Sequence, residues 1–271
     1  MLITDPQDPR LDDFRDLTRA DRRPDRPGGQ GLVIAGGVPV VERLLASPYP
    51  VRAIMGVESK IAALPDTRAV PSYVVPVEVM DEVVGFHLNR GVLACADRAP
   101  APSFSALIAC ASRVLVLEGV GDHENLGSLF RNAAAFGADG VVLGPRCSDP
   151  LYRRAVRVSM GNVLRVPFCS VGTEPSARSA RRDEIGWPQA LHELRAAGFE
   201  VLAMTPDASA IDLRTLPAST SKVAVLVGAE GPGLTDLAMR AATRTVRIPM
   251  ADGVDSLNVA TAAAVALAHF A

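Results

Sequence analysis

The C-terminal half of the sequence places a strand, a loop and a helix in direct succession at Arg113-Val-Leu-Val-Leu-Glu-Gly-Val-Gly-Asp-His-Glu-Asn-Leu-Gly-Ser-Leu-Phe-Arg131. Asn125 is placed to cap the helix, and Gly127 lies one turn before Arg131 on the same helical face. A glycine there leaves open space in front of the guanidinium. Because helix N-termini attract anions and arginine binds phosphate through two parallel hydrogen bonds, the loop could bind a phosphodiester or a ribose. The alternative is a capped helix with one solvated arginine.

The same alternation of strands and helices continues beyond this segment. Short β-branched runs predict strands at 113–120, 140–144, 165–171, 199–205, 222–228 and 245–250. Helical spacing predicts helices at 126–136, 150–160, 187–197, 235–242 and 257–270. Apolar strands that alternate with helices indicate an α/β fold with a mostly parallel sheet covered on both faces.

Upstream of this domain, the composition divides the chain into three further regions. Residues 31–98 alternate short strands with short helices and predict a small α/β domain, and residues 99–112 follow as a linker to the domain at 113–271. Residues 1–30 are predicted as an N-terminal extension. It contains a short amphipathic helix around Leu11, Phe14 and Leu17, followed by the turn-forming stretch RPDRPGGQG at 23–31.

The charge balance limits the kinds of partner that the protein can bind. The 271 residues carry a net charge of −2, which excludes binding of polyanions through bulk positive charge, so a nucleic acid needs a local patch. Only Lys60 and Lys222 among the 28 cationic residues are lysines. The others are arginines, whose planar fork suits phosphate.

Cysteine usage and hydropathy predict a reduced, cytoplasmic protein. The four cysteines lie far apart without metal-ligand spacing, so the sequence predicts no zinc site, no other metal and no disulfide framework. The charged N-terminus lacks the apolar run of a signal peptide, and no segment approaches the roughly 18 apolar residues of a membrane span.

Two more loops combine glycine with polar groups at the end of a strand. Val227-Gly-Ala-Glu-Gly-Pro-Gly-Leu234 surrounds one carboxylate with three glycines, which permits a sharp turn and close approach of the backbone to a ligand; an ordinary tight turn is the alternative. The segment from Ile248 to Ala260 precedes an alanine-rich final helix that Ser256 is placed to cap. Because apolar residues surround this helix, it is predicted to be tightly enclosed; a capped, alanine-rich surface helix is the alternative.

A fourth region, from Arg146 to Arg165, is rich in arginine. If 150–160 is helical, Arg153 and Arg157 share a face with Arg154 beside it. This arrangement predicts a track for RNA phosphates at Arg153, Arg154, Arg157 and Arg165, with a solvated helix face as the alternative.

Taken together, the three loops resemble the signature motifs of the SpoU (TrmH-like) RNA ribose 2′-O-methyltransferases of the SPOUT superfamily. The first motif is Asn125-x-Gly-x-x-x-Arg131, the second is Gly228-x-Glu-Gly-x-Gly233, and the third runs from Ile248-Pro-Met to Ser256-Leu-Asn258. Residues 31–98 also resemble the family's N-terminal substrate-binding domain. The resemblance implies a C-terminal trefoil knot and a homodimer.

The resemblance also implies a cofactor and a set of site residues. S-adenosylmethionine is expected as methyl donor, and because it supplies its own electrophile, no metal is needed. Its implied binding residues are Val227, Gly228, Ile248, Met250, Leu257 and Asn258. The implied catalytic residues are Asn125, Arg131, Glu230, Ser256 and Asn258.

The role of Arg131 stays open between two alternatives at this stage. The resemblance assigns it to activation of the ribose hydroxyl. A guanidinium keeps its proton to about pH 12, so orienting the target phosphate and stabilising the developing alkoxide is the other role.

The expected activity is 2′-O-methylation of RNA, of ribosomal RNA in particular because a separate reader domain is present. Methylation of transfer RNA is the alternative substrate. A non-catalytic RNA-binding protein that keeps the fold is the alternative class, and a nucleotide-phosphate enzyme is disfavoured because no Walker lysine is present.

Overall fold

The computed structural model describes residues 1–17, 31–65, 67–172 and 185–271. Nearly all of the turn-forming stretch predicted at 23–31 lies outside these residues. The chain divides into two compact units, one of residues 1–100 with 149–165 and one of residues 101–148 with 166–271. Within the described residues, no helix is both long and apolar enough to cross a membrane.

The first unit contains a four-stranded sheet with helices. Its strands are β1 (Val33–Gly36), β2 (Val51–Gly56), β3 (Ser72–Val74) and β4 (Val92–Ala96), in the order β1-β4-β2-β3. β4 is antiparallel to both of its neighbours, and β2 is parallel to β3. The helices are α1 (Val38–Leu45), α2 (Glu58–Ala62) and α3 (Val77–Val84).

The first seventeen residues belong to this unit rather than to a separate extension. A 3₁₀-helix at Pro9–Phe14 stands where the sequence predicts a short amphipathic helix. It buries Leu11 and Phe14 completely in the same apolar cluster as α3 and β4. The N–H of Ile3 also donates to the carbonyl of Val74 at 2.9 Å. The predicted boundary at residue 31 therefore does not separate residues 1–17 from the first unit. A short apolar pattern predicts that a segment is buried, but not which surface it covers.

The described residues of the second unit form seven strands, and every pairing among these strands is parallel. The strands are β5 (Arg113–Leu117), β6 (Gly140–Leu143), β7 (Phe168–Ser170), β8 (Glu200–Met204), β9 (Ile211–Asp212), β10 (Val223–Val227) and β11 (Arg244–Arg247). Their order is β7-β6-β5-β10-β8-β11-β9. The predicted α/β class with a mostly parallel sheet is confirmed. The sequence misses β9, since two residues are too few to show an alternation.

The helices of the second unit are α4 (Phe104–Cys110), α5 (His123–Ala135), α7 (Gln189–Ala196), α8 (Asp236–Ala241) and α9 (Val259–His269). α4 lies inside the region predicted as a linker. Ser103 caps it, and its Phe104, Leu107 and Ile108 are buried in the core of the unit. A helix with a buried apolar face thus lies in the region that was predicted as a linker.

α6 (Arg153–Val158) lies within the predicted C-terminal domain but packs in the first unit, against β1. Ala155 and Val156 are its buried residues. Gly161 follows with a φ of +78°, and a Cβ there would lie 3.1 Å from Val40 Cγ1. The helix is six residues long, shorter than the predicted 150–160.

α9 packs against α5 and β10. Its buried residues are Val259, Ala260, Ala263, Ala266 and Leu267. Val265 is 41% exposed, so the predicted tight enclosure of this helix is wrong for its outer face. The amide of Asn132 on α5 donates to the carbonyl of Ala260 at 2.7 Å, and this bond fixes the two helices side by side.

Candidate functional site

The site lies at the carboxyl edge of the parallel sheet of the second unit. β5 and β10 are neighbours whose last residues, Leu117 and Val227, stand in register. The N–H of Glu118 continues this pairing by donating to the carbonyl of Val227 at 3.0 Å. The first two glycine-containing loops therefore begin side by side. This is the edge at which open α/β sheets bind ligands.

One side chain, Asn258, joins all three loops. Its amide nitrogen donates to Asn125 Oδ1 at 2.9 Å and to Glu230 Oε1 at 2.8 Å. Its oxygen accepts from the N–H groups of Ala260 and Thr261 at the start of α9. The loops that follow β5, β10 and β11 are thus linked by hydrogen bonds from a single residue, as their resemblance to three family motifs implies.

The helix caps at this site differ from those predicted. Asp122, not Asn125, caps α5, because its carboxylate accepts from the N–H groups of Glu124 and Asn125. Asn258, not Ser256, caps α9. Each true cap lies within three residues of the predicted one. The side-chain oxygen of Asn125 therefore accepts from Asn258 instead of from the first turn of its own helix.

The second loop folds back on itself around Gly228. A Cβ at this position would lie 2.4 Å from the carbonyl carbon of Gly233 and from the nitrogen of Leu234. The N–H of Gly233 donates to the carbonyl of Ala229 at 3.0 Å and closes the turn. Gly231 and Gly233 have φ angles of +85° and +69°, which favour glycine. Close packing therefore requires glycine at Gly228, whereas the backbone conformation favours glycine at Gly231 and Gly233.

A cavity of about 490 Å³ lies beneath these loops. All six residues implied as cofactor contacts line it, namely Val227, Gly228, Ile248, Met250, Leu257 and Asn258. Glu230 and Ser256 line it as well. Sequence patterns do not identify four further lining residues, Met204, Thr205, Pro206 and Ala262. The first three lie at the end of β8 or just after it, and β8 is the neighbour of β10 in the sheet. Their position at the same sheet edge is the feature of the sequence from which they could have been predicted.

Arg131 and Asn125 do not line this cavity. Asn125 reaches it through Asn258, and Arg131 is exposed nearly two turns further along α5. Gly127, one turn before Arg131, is buried in the core. The guanidinium therefore faces solvent on the first helix of the site, where an incoming polyanion can reach it.

Glu118 is a residue of the site that local sequence patterns do not identify. It is 1% exposed and accepts three hydrogen bonds. The donors are Trp187 Nε1 at 2.8 Å, the N–H of Thr235 at 2.9 Å and Thr235 Oγ1 at 2.8 Å. Thr235 itself caps α8. The carboxylate thus connects the end of β5 to the helix that follows the second loop.

Replacing Glu118 with alanine is expected to lower the free energy of unfolding by about 2–5 kcal/mol, because buried donors lose their acceptor. Urea unfolding followed by circular dichroism measures this change. Glu193→Ala, an exposed change on α7, is the control and is expected to stay within about 0.5 kcal/mol of the unchanged protein. Equal stability of the two variants would show that Glu118 does not organise the loops.

Replacing Asn258 with aspartate separates its two functions. The carboxylate still caps α9, but it loses both donated bonds and places a negative charge against Glu230. We expect the melting temperature to change little and the affinity for S-adenosylmethionine to fall about tenfold, by isothermal titration calorimetry. Asn258→Ser, which keeps a cap without the charge, measures the loss of the donors alone. Unchanged affinity in both variants would contradict a role for this network in the cavity.

Three of the four arginines predicted to bind RNA lie together in the first unit. Arg153, Arg154 and Arg157 line a second cavity, of about 430 Å³. Arg165 is exposed and does not line it. The structure thus groups the helical arginines around a cavity instead of extending them into a track that includes Arg165.

Burial governs the chemistry of three of the four cysteines. Burial raises the pKa of Cys95 and Cys169 to about 12 and that of Cys147 to about 11, so these thiols stay protonated at neutral pH. The four cysteines form no disulfide. Among the described residues, no group of three or more His, Cys, Asp or Glu is arranged to hold a metal ion.

Comparison with known proteins identifies the class. The profile of the SpoU rRNA methylase family matches residues 112–268. An uncharacterized tRNA/rRNA methyltransferase of Mycobacterium tuberculosis is 54% identical over 269 residues, which cover 97% of this chain and 89% of that protein. The parallel sheet, its three joined loops and these likenesses define an RNA methyltransferase. The chain belongs to the SpoU rRNA methylase family, and the resemblance drawn from the three motifs is confirmed.

Solved structures share the fold over nearly the whole chain. The AdoMet-bound rRNA methyltransferase of Sinorhizobium meliloti is 25% identical, with a TM-score of 0.79 over 99% of this chain and 96% of that one. A SpoU methyltransferase of Streptomyces viridochromogenes, 22% identical, gives a TM-score of 0.75 over 96% and 95% of the two chains.

Proposed function

We propose that this protein transfers a methyl group from S-adenosylmethionine to a ribose 2′-hydroxyl of RNA. The observation that carries the proposal is the convergence of the three motifs on Asn258, directly over the first cavity. The Sinorhizobium meliloti relative, which holds AdoMet, supports the choice of cofactor. The resemblance of the three motifs to those of ribose 2′-O-methyltransferases supports the choice of acceptor.

The residues of the first cavity fit S-adenosylmethionine in size and chemistry. Its volume of about 490 Å³ falls within the range of small-molecule sites. Val227, Ile248 and Leu257 supply apolar walls, and Gly228 brings backbone close to the interior. Glu230 supplies the negative charge that suits a sulfonium compound. When bound, this cofactor supplies the electrophilic methyl group.

The chain's own residues then position the acceptor. Arg131 binds the RNA phosphate beside the target ribose through its charged fork. The 2′-oxygen would take up the methyl group that bound S-adenosylmethionine supplies, and its hydroxyl proton would pass to solvent. The guanidinium stabilises the negative charge that develops on the oxygen, which is the second of the two roles considered for Arg131.

The first unit is proposed as the reader of the RNA. Its arginines at 153, 154 and 157 give a local positive surface on a chain whose net charge is −2. Ribosomal RNA is the proposed substrate, because a dedicated reader suits selection of one nucleotide in a large RNA; transfer RNA is the alternative. Homodimerisation, the trefoil knot and a cytoplasmic location stay predictions.

Two measurements test this function. Isothermal titration with S-adenosylmethionine should show binding to the purified protein. Reverse-transcription mapping of 2′-O-methyl sites, in RNA from cells with and without the protein, should show one site lost. Binding of RNA without any binding of S-adenosylmethionine would instead favour the non-catalytic RNA-binding alternative.

A further inference from the structure

The second cavity is built from parts of the chain that are distant in sequence. The loop at 86–90, which leads into β4, forms one wall, and α6 forms the other, with Gly36 at the end of β1 between them. Its volume of about 430 Å³ is that of a site for one small ligand rather than a shallow surface. A helix from within the segment predicted as the methyltransferase domain therefore completes a cavity in the first unit.

The charge of this cavity selects an anion. Arg90, Arg153 and Arg157 line it, and none of its described lining residues is Asp or Glu. Arg90 is fixed by a bond from its Nη1 to the carbonyl of Gly36 at 3.2 Å. Asp81 contacts two of the lining residues but does not itself line the cavity.

Asp81 holds His87 in the cavity wall. It contacts His87 Nδ1 at 2.6 Å and accepts from the N–H of Leu88 at 2.8 Å. These two bonds lower the pKa of Asp81 from its usual value, so it stays charged and keeps the loop in place.

The arginine at the start of α6 is arranged for stacking. The Arg153 guanidinium lies 4.6 Å from the centroid of the Phe86 ring. Burial lowers the pKa of Arg153 from its usual value. Because the ring contacts the face of the guanidinium, the N–H edge stays available to an acceptor. Unpaired RNA bases stack on such arginine planes and aromatic rings, whereas bases within a helix cannot reach them.

We propose that this cavity receives one unpaired nucleotide of the substrate RNA. Its phosphate lies between Arg90 and Arg157, and its base lies against the Arg153–Phe86 pair, with Asn89 beside the base edge. This inference rests on the proposed function and deepens it, because it makes a single-stranded loop or bulge, rather than a duplex, the feature that the first unit reads.

Fluorescence anisotropy with a labelled RNA single strand of about 12 nucleotides, using the full chain, tests the proposal. Arg153→Ala and Arg157→Ala should each weaken binding about tenfold, as one lost stacking or phosphate contact does. Arg153→Lys keeps the charge without the plane and should lose nearly as much as Arg153→Ala. Arg240→Ala, an exposed arginine of the second unit outside both cavities, is the matched control and should stay within about twofold.

Four results would overturn the proposal. Equal losses in Arg240→Ala would indicate bulk charge, and full binding by Arg153→Lys would indicate a phosphate contact without stacking. Equally tight binding of the matched duplex would exclude an unpaired nucleotide. A free mononucleotide that displaces the RNA at the same concentration as unlabelled RNA would indicate a small-molecule site. Titration with S-adenosylmethionine is run on every variant and on the unchanged protein, because absence of binding in the unchanged protein contradicts the proposed function separately.

Discussion

Replacing Arg131 with alanine should reduce methyl transfer to RNA by about 10²–10³-fold, the cost of removing one donor that acts in the transition state. The affinity for S-adenosylmethionine should stay within about twofold, because Arg131 does not line the first cavity. Transfer of a tritiated methyl group to RNA measures the first quantity, and isothermal titration calorimetry measures the second.

Arg131→Lys separates the two parts of the role proposed for Arg131, namely positioning of the phosphate and stabilisation of the developing charge. A lysine keeps the positive charge but lacks the planar fork that grips a phosphate through two oxygens. Because lysine restores the charge but not the fork, we expect it to recover only part of the rate, to less than about tenfold above the alanine variant. Loss of cofactor affinity in either variant would contradict the separation of Arg131 from cofactor binding, and an unchanged rate in Arg131→Ala would remove Arg131 from the catalytic residues.

The sequence predicts most of the sheet because its strands are apolar runs bounded by glycine-containing turns. β5, β6, β8 and β10 each fall within their predicted limits. The sequence does not assign α6 to the first unit, because the two buried residues of this helix could pack against any apolar surface. Periodicity identifies which face of a helix is buried but not what covers it.

The site is less predictable than the fold for a related reason. Asp122, Asn125, Ser256 and Asn258 are all good caps, so local chemistry leaves two candidates at each helix. The choice depends on the contact between Asn258 and the two other loops, which exists only once the sheet brings them together. Local sequence patterns do not identify Glu118 for the same reason, because its three donors lie 69 and 117 residues away in the sequence.

Replacing Gly228 with alanine should have the largest effect on the cofactor cavity. The added Cβ would lie 2.4 Å from backbone atoms of Gly233 and Leu234, which cannot move without opening the turn that carries Glu230. Relieving such an overlap in a packed region costs about 1–3 kcal/mol. We expect the affinity for S-adenosylmethionine to fall about 100-fold by calorimetry, with methyl transfer falling in parallel at subsaturating cofactor.

Two glycines of the same loops provide matched controls. A Cβ at Gly121 would meet no atom within 4 Å, and this residue has no positive φ, so Gly121→Ala should leave affinity and melting temperature unchanged. Gly231 also faces open space but has a φ of +85°, so Gly231→Ala should lose about 1–2 kcal/mol of stability through backbone strain alone. If Gly228→Ala binds the cofactor no worse than Gly231→Ala, the close approach at Gly228 does not shape the cavity. A greater loss at Gly228 alone would tie cofactor binding to the contact between Gly228 and the end of its own turn.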